Sequence, residues 1–267
     1  MNPLYTLHRG ELPLLVSVPH AGTEIPPTLR DAYTEQALDV ADTDWHLGTV
    51  YAFARELGAS LLVPRLSRYV IDLNRPPDDR PMYAGANNTE LCPTRAFTGE
   101  AIYRPGRAPD AGQVAARLQQ YWQPYHDALQ AELERLHARH GWAVLWDGHS
   151  IASRLPWLFE GRLPDLNLGT AGGASCAPAL REAAARELAA QGAFSHVVDG
   201  RFKGGYITRH YGRPAQGVHA LQMEMVFAAY LQAQAAPYAL DTDKLPALQG
   251  LLRRLLLALL AWKPGDV

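Results

Sequence analysis

The stretch Leu12–Gly22, LPLLVSVPHAG, sets the architecture. Its first seven residues are apolar, short and rich in Val and Leu, which predicts a strand in the middle of a sheet over residues 12–18. Pro19 has no N–H for a central ladder and ends the strand. His20 is thereby delivered to the strand's carboxyl edge, while Ala21 and Gly22 let the backbone turn and let another group come close. In open α/β sheets that edge is where ligands bind.

Further strands are predicted at 60–66, 68–73, 143–147, 196–199, 205–208 and 217–224, alternating with helices. DWHLGTVYAFARELG (Asp44–Gly58) carries Leu47, Val50, Tyr51, Ala54 and Leu57 at helical spacing and stops at a glycine. Residues 112–140 place Leu118, Trp122, Tyr125, Leu129 and Leu136 on one face, with a kink expected near Pro124. Helices are also predicted over 178–191, opened by a proline and closed before Gly192, and over 242–262. This alternation predicts an α/β fold, one domain over residues 1–267 with a mixed, mostly parallel sheet between helices. Residues 74–112 are dense in Pro, Gly, Asn and Asp, and a loop this long inside a compact domain predicts a lid or binding loop.

The chain has 267 residues, enough for a sizeable core, and its 19% charged residues exclude a disordered class. A net charge of −2 leaves no global nucleic-acid footprint. The longest apolar run, Leu255–Trp262, is too short to span a bilayer, and the opening MNPLYTLHRGELP lacks the layout of a secretory leader. Two distant cysteines, Cys92 and Cys176, suit a reducing compartment. A cytoplasmic protein without a membrane or nucleic-acid partner is expected.

His149, in DGHS after the apolar AVLWD, hangs over the same sheet edge as His20. Two imidazoles and one carboxylate make a hydrolytic zinc site with an open position. Manganese, iron or cobalt also suit such ligands. Glu24 and Asp44 are both candidates for the carboxylate; Asp44 also reads as a residue of a helix's first turn, favoured there by the dipole. SRYVIDLNRPPDD (Ser67–Asp79) puts Arg68 at the start of a strand and Asn74–Arg75 at its end. An arginine there can fork onto a substrate carboxylate, or pair internally with Asp72, Asp78 or Asp79. GRFKGGYITRHYGRP (Gly200–Pro214) holds Arg201, Lys203, Arg209, His210 and Arg213 without an acidic residue. It reads either as a solvated hairpin or as the seat of a small anionic substrate; no phosphate-loop pattern is present. Glu224, within the apolar GVHALQMEMVF, is costly to bury unless it pairs with an arginine or acts as a general base.

SVPHAG, DTDWH, SRYVIDLNRPPDD, LWDGHS, PDLNLGT and GRFKGGYITRHYGRP, in this order from residue 17 to 214, resemble the N-formylglutamate amidohydrolase family. The resemblance implies a zinc carboxypeptidase-like (phosphorylase/hydrolase-like) fold and metal-dependent hydrolysis of N-formyl-L-glutamate to formate and glutamate in histidine degradation. It implies His20, Asp44 and His149 as zinc ligands. The carboxypeptidase pattern of His, two residues, then Glu is not met by Glu24, which favours Asp44. Glu224 is then the general base, and Arg68 with the metal stabilises the oxyanion. Asn74 and Arg75, with one or both of Arg209 and Arg213, bind the substrate carboxylates. Trp45, Trp157 and Phe159 are expected to close the acyl pocket. The alternatives are a zinc amidase for another N-acyl amino acid or peptide, and a non-catalytic anion-binding protein of the same fold.

Overall fold

The computed structural model describes residues 3–81 and 89–265. Its frame is one seven-stranded mixed sheet: β1 (Tyr5–His8), β2 (Leu14–Ser17), β3 (Ser60–Pro64), β4 (Ala143–Ile151), β5 (Leu166–Gly169), β6 (His196–Val198) and β7 (Val218–Val226). The order across the sheet is β1-β3-β2-β4-β7-β5-β6. The four central strands β3, β2, β4 and β7 are parallel; β1 joins β3, and β5 joins β7, antiparallel. β2 and β4 are buried throughout, as strands covered on both faces must be.

Among the described residues eight α-helical segments surround the sheet: α1 (Pro27–Arg30), α2 (Leu47–Val50), α3 (Phe53–Glu56), α4 (Ala111–Arg117), α5 (Gln123–His140), α6 (Pro178–Ala189), α7 (Tyr206–Tyr211) and α8 (Leu245–Ala261). One face of the sheet packs Val16, Val144, Trp146, Leu221 and Met223 against α2, α3, α6 and the leucine stripe of α8. The other packs Leu15, Leu145 and Ala220 against Tyr125, Leu129 and Leu136 of α5 and against α7. The alternation follows from the two-residue period of a strand.

Several sequence expectations shift. Residues 68–73 do not join the sheet. They form a turn, because Arg68 and Asp72 close a four-residue ion pair at 2.6 Å that an extended chain could not make. Residues 205–208 open helix α7 instead of forming a strand. The helix expected from Asp44 to Gly58 is broken into α2 and α3, and β4 runs past Asp147 through His149 to Ile151. β1 and β5 were not anticipated. The kink near Pro124 takes a specific form: residues 118–122 make a π turn, with the Gln123 N–H bonded to the Leu118 carbonyl. Pro124 has no N–H for the normal ladder, and the wider turn accommodates this. Of the expected loop 74–112, residues 82–88 lie outside the described residues. Its described parts are pinned by Asp79, which accepts from the Leu91 N–H at 2.6 Å, and by Asp42, which accepts from the Phe97 N–H at 2.7 Å. Among the described residues no helix is long and apolar enough to cross a membrane.

Candidate metal centre and its cavity

His20 lies three residues past the end of β2, held by the turn in which the Ala21 N–H bonds to the Val18 carbonyl. The Asp44 N–H donates to the His20 carbonyl at 3.0 Å, so the chain before α2 is tied to the end of β2. His149 is on β4, and its register partner on β7 is Glu224. Three remote segments therefore converge at one end of the sheet.

The convergence is tight. The Nδ1 atoms of His20 and His149 lie 3.7 and 3.2 Å from Asp44 Oδ2, and ligand atoms of the three residues fall within 4.8 Å of one another. All three side chains are buried. The far ring nitrogens face other buried carboxylates: His20 Nε2 is 2.7 Å from Asp72, and His149 Nε2 is 3.1 Å from Asp147. Arg68 Nη1 donates to His20 Nδ1 at 3.2 Å. A guanidinium only donates, so Nδ1 carries the lone pair and Nε2–H points at Asp72. Carboxylates behind the rings orient metal-binding histidines in this manner. Asp44 Oδ1 is buried without a hydrogen-bond partner among the described residues. Such an orphan is costly, and a cation would satisfy it. Two imidazole nitrogens and a carboxylate match the donors zinc takes in open catalytic sites. Glu24 is elsewhere: it is an exposed partner of Arg65, with Nη2 2.6 Å from Oε1.

The electrostatics fit the same reading. Burial lowers the His20 pKa, helped by Arg68. His149 is also buried, yet Asp147 and Asp44 outweigh that and raise its pKa well above the usual value. Asp72 is held well below the carboxylate range against its own burial, by Arg68, His20 and Arg75. Burial pushes Glu224 up to about 8, although His149 pulls it down. Its carboxylate has no hydrogen-bond partner among the described residues and faces the cavity.

That cavity is also lined by Arg68, Asn74 and Arg75. The internal pairing weighed for this segment is realised by Arg68 with Asp72, while Arg75 Nη1 stands 4.0 Å from the same carboxylate. Arg75 donates from Nε and Nη2 to Thr89 at 2.9 Å each, which fixes its plane. The Asn74 amide accepts from the Ile207 N–H at 2.8 Å and turns its nitrogen to His149 Nε2 at 3.0 Å, so it braces α7 against the histidine. Gly205 permits this, since a Cβ there would meet the Asn74 side chain at 2.4 Å. Two carbonyls flanking Asn74 are gripped from α5 and the π turn: His126 Nε2 bonds Leu73 at 2.9 Å and Trp122 Nε1 donates to Arg75 at 3.1 Å.

Arg209 and Arg213 do not line this cavity. Arg209 donates to the Gly204 carbonyl, and Arg213 flanks a separate groove beside α5. Arg201 from the same basic segment does line it. Phe159 lines it as expected, but Trp45 stacks on Tyr238 and Trp157 lies against Gly99. Phe97 and Phe202 line it as well. The sequence offers Asp72 only as an arginine's partner and gives no sign of Asp147 or Gln222 as site residues; contact with a histidine or, for Gln222, with the Gly205 N–H at 2.7 Å gives each its place.

Fold and site together define an α/β protein with a buried two-histidine, one-carboxylate cluster at the floor of an arginine-lined cavity. The profile of the N-formylglutamate amidohydrolase family matches residues 12–231. The chain is 48% identical to an N-formylglutamate deformylase of Pseudomonas putida, over 98% of this chain and 97% of that one. It is 49% identical to an N-formylglutamate deformylase of Pseudomonas aeruginosa, over 98% of each chain. A crystal structure of N-formylglutamate amidohydrolase from Ralstonia eutropha JMP134 superposes with a TM-score of 0.79 at 27% identity, covering 96% of both chains. The chain belongs to the N-formylglutamate amidohydrolase family.

Proposed function

We propose that this chain is a zinc-dependent deformylase that hydrolyses N-formyl-L-glutamate to formate and L-glutamate, a step of histidine degradation in the cytoplasm. The observation that carries this reading is the placement of Glu224 beside His149 on paired strands, in one cavity with Asp44, His20 and arginine side chains. His20, Asp44 and His149 would hold the zinc, which polarises a carbonyl and lowers the pKa of a water when bound.

The remaining work falls to this chain's residues. Glu224 accepts the proton of the attacking water in its ionised form; burial raises its pKa to about 8 in the metal-free protein, and a bound cation beside it would favour that ionised form. The water oxygen bonds to the formyl carbon. Glu224 then delivers the proton to the amide nitrogen as the C–N bond breaks, releasing formate and an amine. Arg68, locked by Asp72 and stacked 4.4 Å from the Phe97 ring centre, is placed to receive the charge that builds on the formyl oxygen. One preorganised donor of this kind contributes about 3–4 kcal/mol. Arg75, with Asn74 bracing the turn, takes a substrate carboxylate. Phe97, Phe159 and Phe202 narrow the acyl side to a group as small as formyl.

A zinc-loaded assay across N-formyl-, N-acetyl- and N-succinyl-L-glutamate tests the reading. Turnover of the formyl compound well above the others is expected. Equal rates would make the protein a broader N-acyl amidase, and an inert protein without stoichiometric metal would make it an anion-binding module.

A further inference from the structure

N-Formylglutamate carries two carboxylates, and the cavity must answer both. Of its lining arginines, Arg68 pairs with Asp72 and sits buried at the histidine end, where the formyl oxygen is assigned to it. Arg75, mostly buried, leaves N–H groups for one carboxylate. The third, Arg201, is different. Its residue is exposed, so it stands at the cavity's solvent end, and among the described residues it has no carboxylate partner. It is nevertheless held. Its guanidinium carbon lies 4.8 Å from the centre of the Phe159 ring, and Nη2 donates to the Leu158 carbonyl. One N–H of five is thus used, and the aromatic face keeps the fork flat and available.

Resting on the deformylase reading, we infer that Arg201 is the specificity residue for the side-chain carboxylate of the substrate. The carboxylate on Cα is two bonds from the amide nitrogen, and the side-chain carboxylate is four. A substrate with its formyl carbon at the histidine cluster reaches outward with the side-chain carboxylate, toward the solvent end where Arg201 waits on its phenylalanine platform. Arg201 thereby selects glutamyl over glutaminyl or apolar side chains.

The test compares N-formyl-L-glutamate with N-formyl-L-glutamine in the zinc-loaded parent and in Arg201→Gln. Calorimetric binding of L-glutamate and L-glutamine is measured alongside. The parent should prefer the charged compound. Because the arginine is partly solvated, Arg201→Gln should lower kcat/KM for the glutamyl compound by about tenfold and leave the glutaminyl compound unchanged. Unchanged metal content and Tm in the variant exclude a folding effect. A parent without preference, a variant that keeps the parental preference, or one that slows both compounds equally overturns the inference. If the parent binds L-glutamate but hydrolyses neither compound, the deformylase reading fails. The clamp is then judged by binding alone: loss of glutamate affinity in Arg201→Gln supports it, and retention removes it.

Discussion

β4 and β7 present two opposite environments from the same pair of strands. On one face Val144, Trp146, Leu221, Met223 and Met225 interlock with α6 and α8, and His219 at the start of β7 accepts from the Ala177 N–H. On the other, Asp147 and His149 of β4 stand beside Gln222 and Glu224 of β7, all buried. The difference teaches how the protein divides its labour. The apolar face supplies the burial, at roughly 25 cal/mol per Å² of surface removed from water. The polar face uses that stability to hold charges whose isolated burial would be prohibitive. The polar side is organised around charge pairs, His20 with Asp72 and His149 with Asp147 and Asp44, while among the described residues Asp44 Oδ1 and Asp147 Oδ1 make no hydrogen bond and Glu224 lines the cavity.

Substitutions on the two faces should therefore separate cleanly. The largest effect is expected at the cluster itself. His20→Ala, Asp44→Ala and His149→Ala should each lose tightly bound metal and essentially all hydrolysis, whereas Glu24→Ala, which breaks only an exposed pair, should keep both. Metal content by elemental analysis decides this; retention in Asp44→Ala with loss in Glu24→Ala would reverse the ligand assignment.

Next is Glu224→Gln, which should fold, keep metal and slow kcat by about 10²–10⁴. The acidic limb of kcat/KM should change with it, since that limb reports Glu224 coupled to the metal centre. The metal-free protein offers a second readout. The folded pKa of about 8 lies above the ordinary 4.5, so the folded state binds more protons between these values. Stability should fall as pH rises through that window, and Glu224→Gln should flatten the slope of Tm against pH. A parental kcat in the variant would leave Glu224 a mere core carboxylate.

On the opposite face, Met223→Ala should cost about 2–5 kcal/mol of stability, visible in denaturant melts, while metal stoichiometry and KM stay put. A loss of metal there would show that the two faces are not independent. The smallest effect belongs to Arg75→Ala. Losing a charge-assisted fork should raise KM by about ten- to a hundredfold with zinc content unchanged. If metal is lost instead, the 4.0 Å approach to Asp72 is its main role.

The parallel core was readable because β2, β4 and β7 are strongly apolar runs with clear stops, and such runs have few alternatives. The turn at 68–75 was not. RYVIDLN has the composition of a strand, but Arg68 and Asp72 prefer each other, and Leu73 and Arg75 give their carbonyls to His126 and Trp122. Those partners come from α5 and the π turn, more than forty residues away, and nothing local announces them. Likewise glycine-rich GRFKGGYITRHYGRP looks like a hairpin until the Asn74 side-chain Oδ1 accepts from the Ile207 N–H and a helix starts there.

By itself the sequence determined the α/β class, the strand that delivers His20 past its end, the apolar strand that leads to His149, and the oddity of Glu224 in an apolar strand. These are consequences of periodicity and of the cost of burying charge, and both are local. Only the tertiary structure decided that Asp44 and not Glu24 stands between the imidazoles, that Asp72 and Asp147 back them, and that Arg201 rather than Arg209 or Arg213 enters the cavity. Those choices depend on register and on contacts between segments distant in the chain, where one residue's shift turns a side chain from the site to solvent.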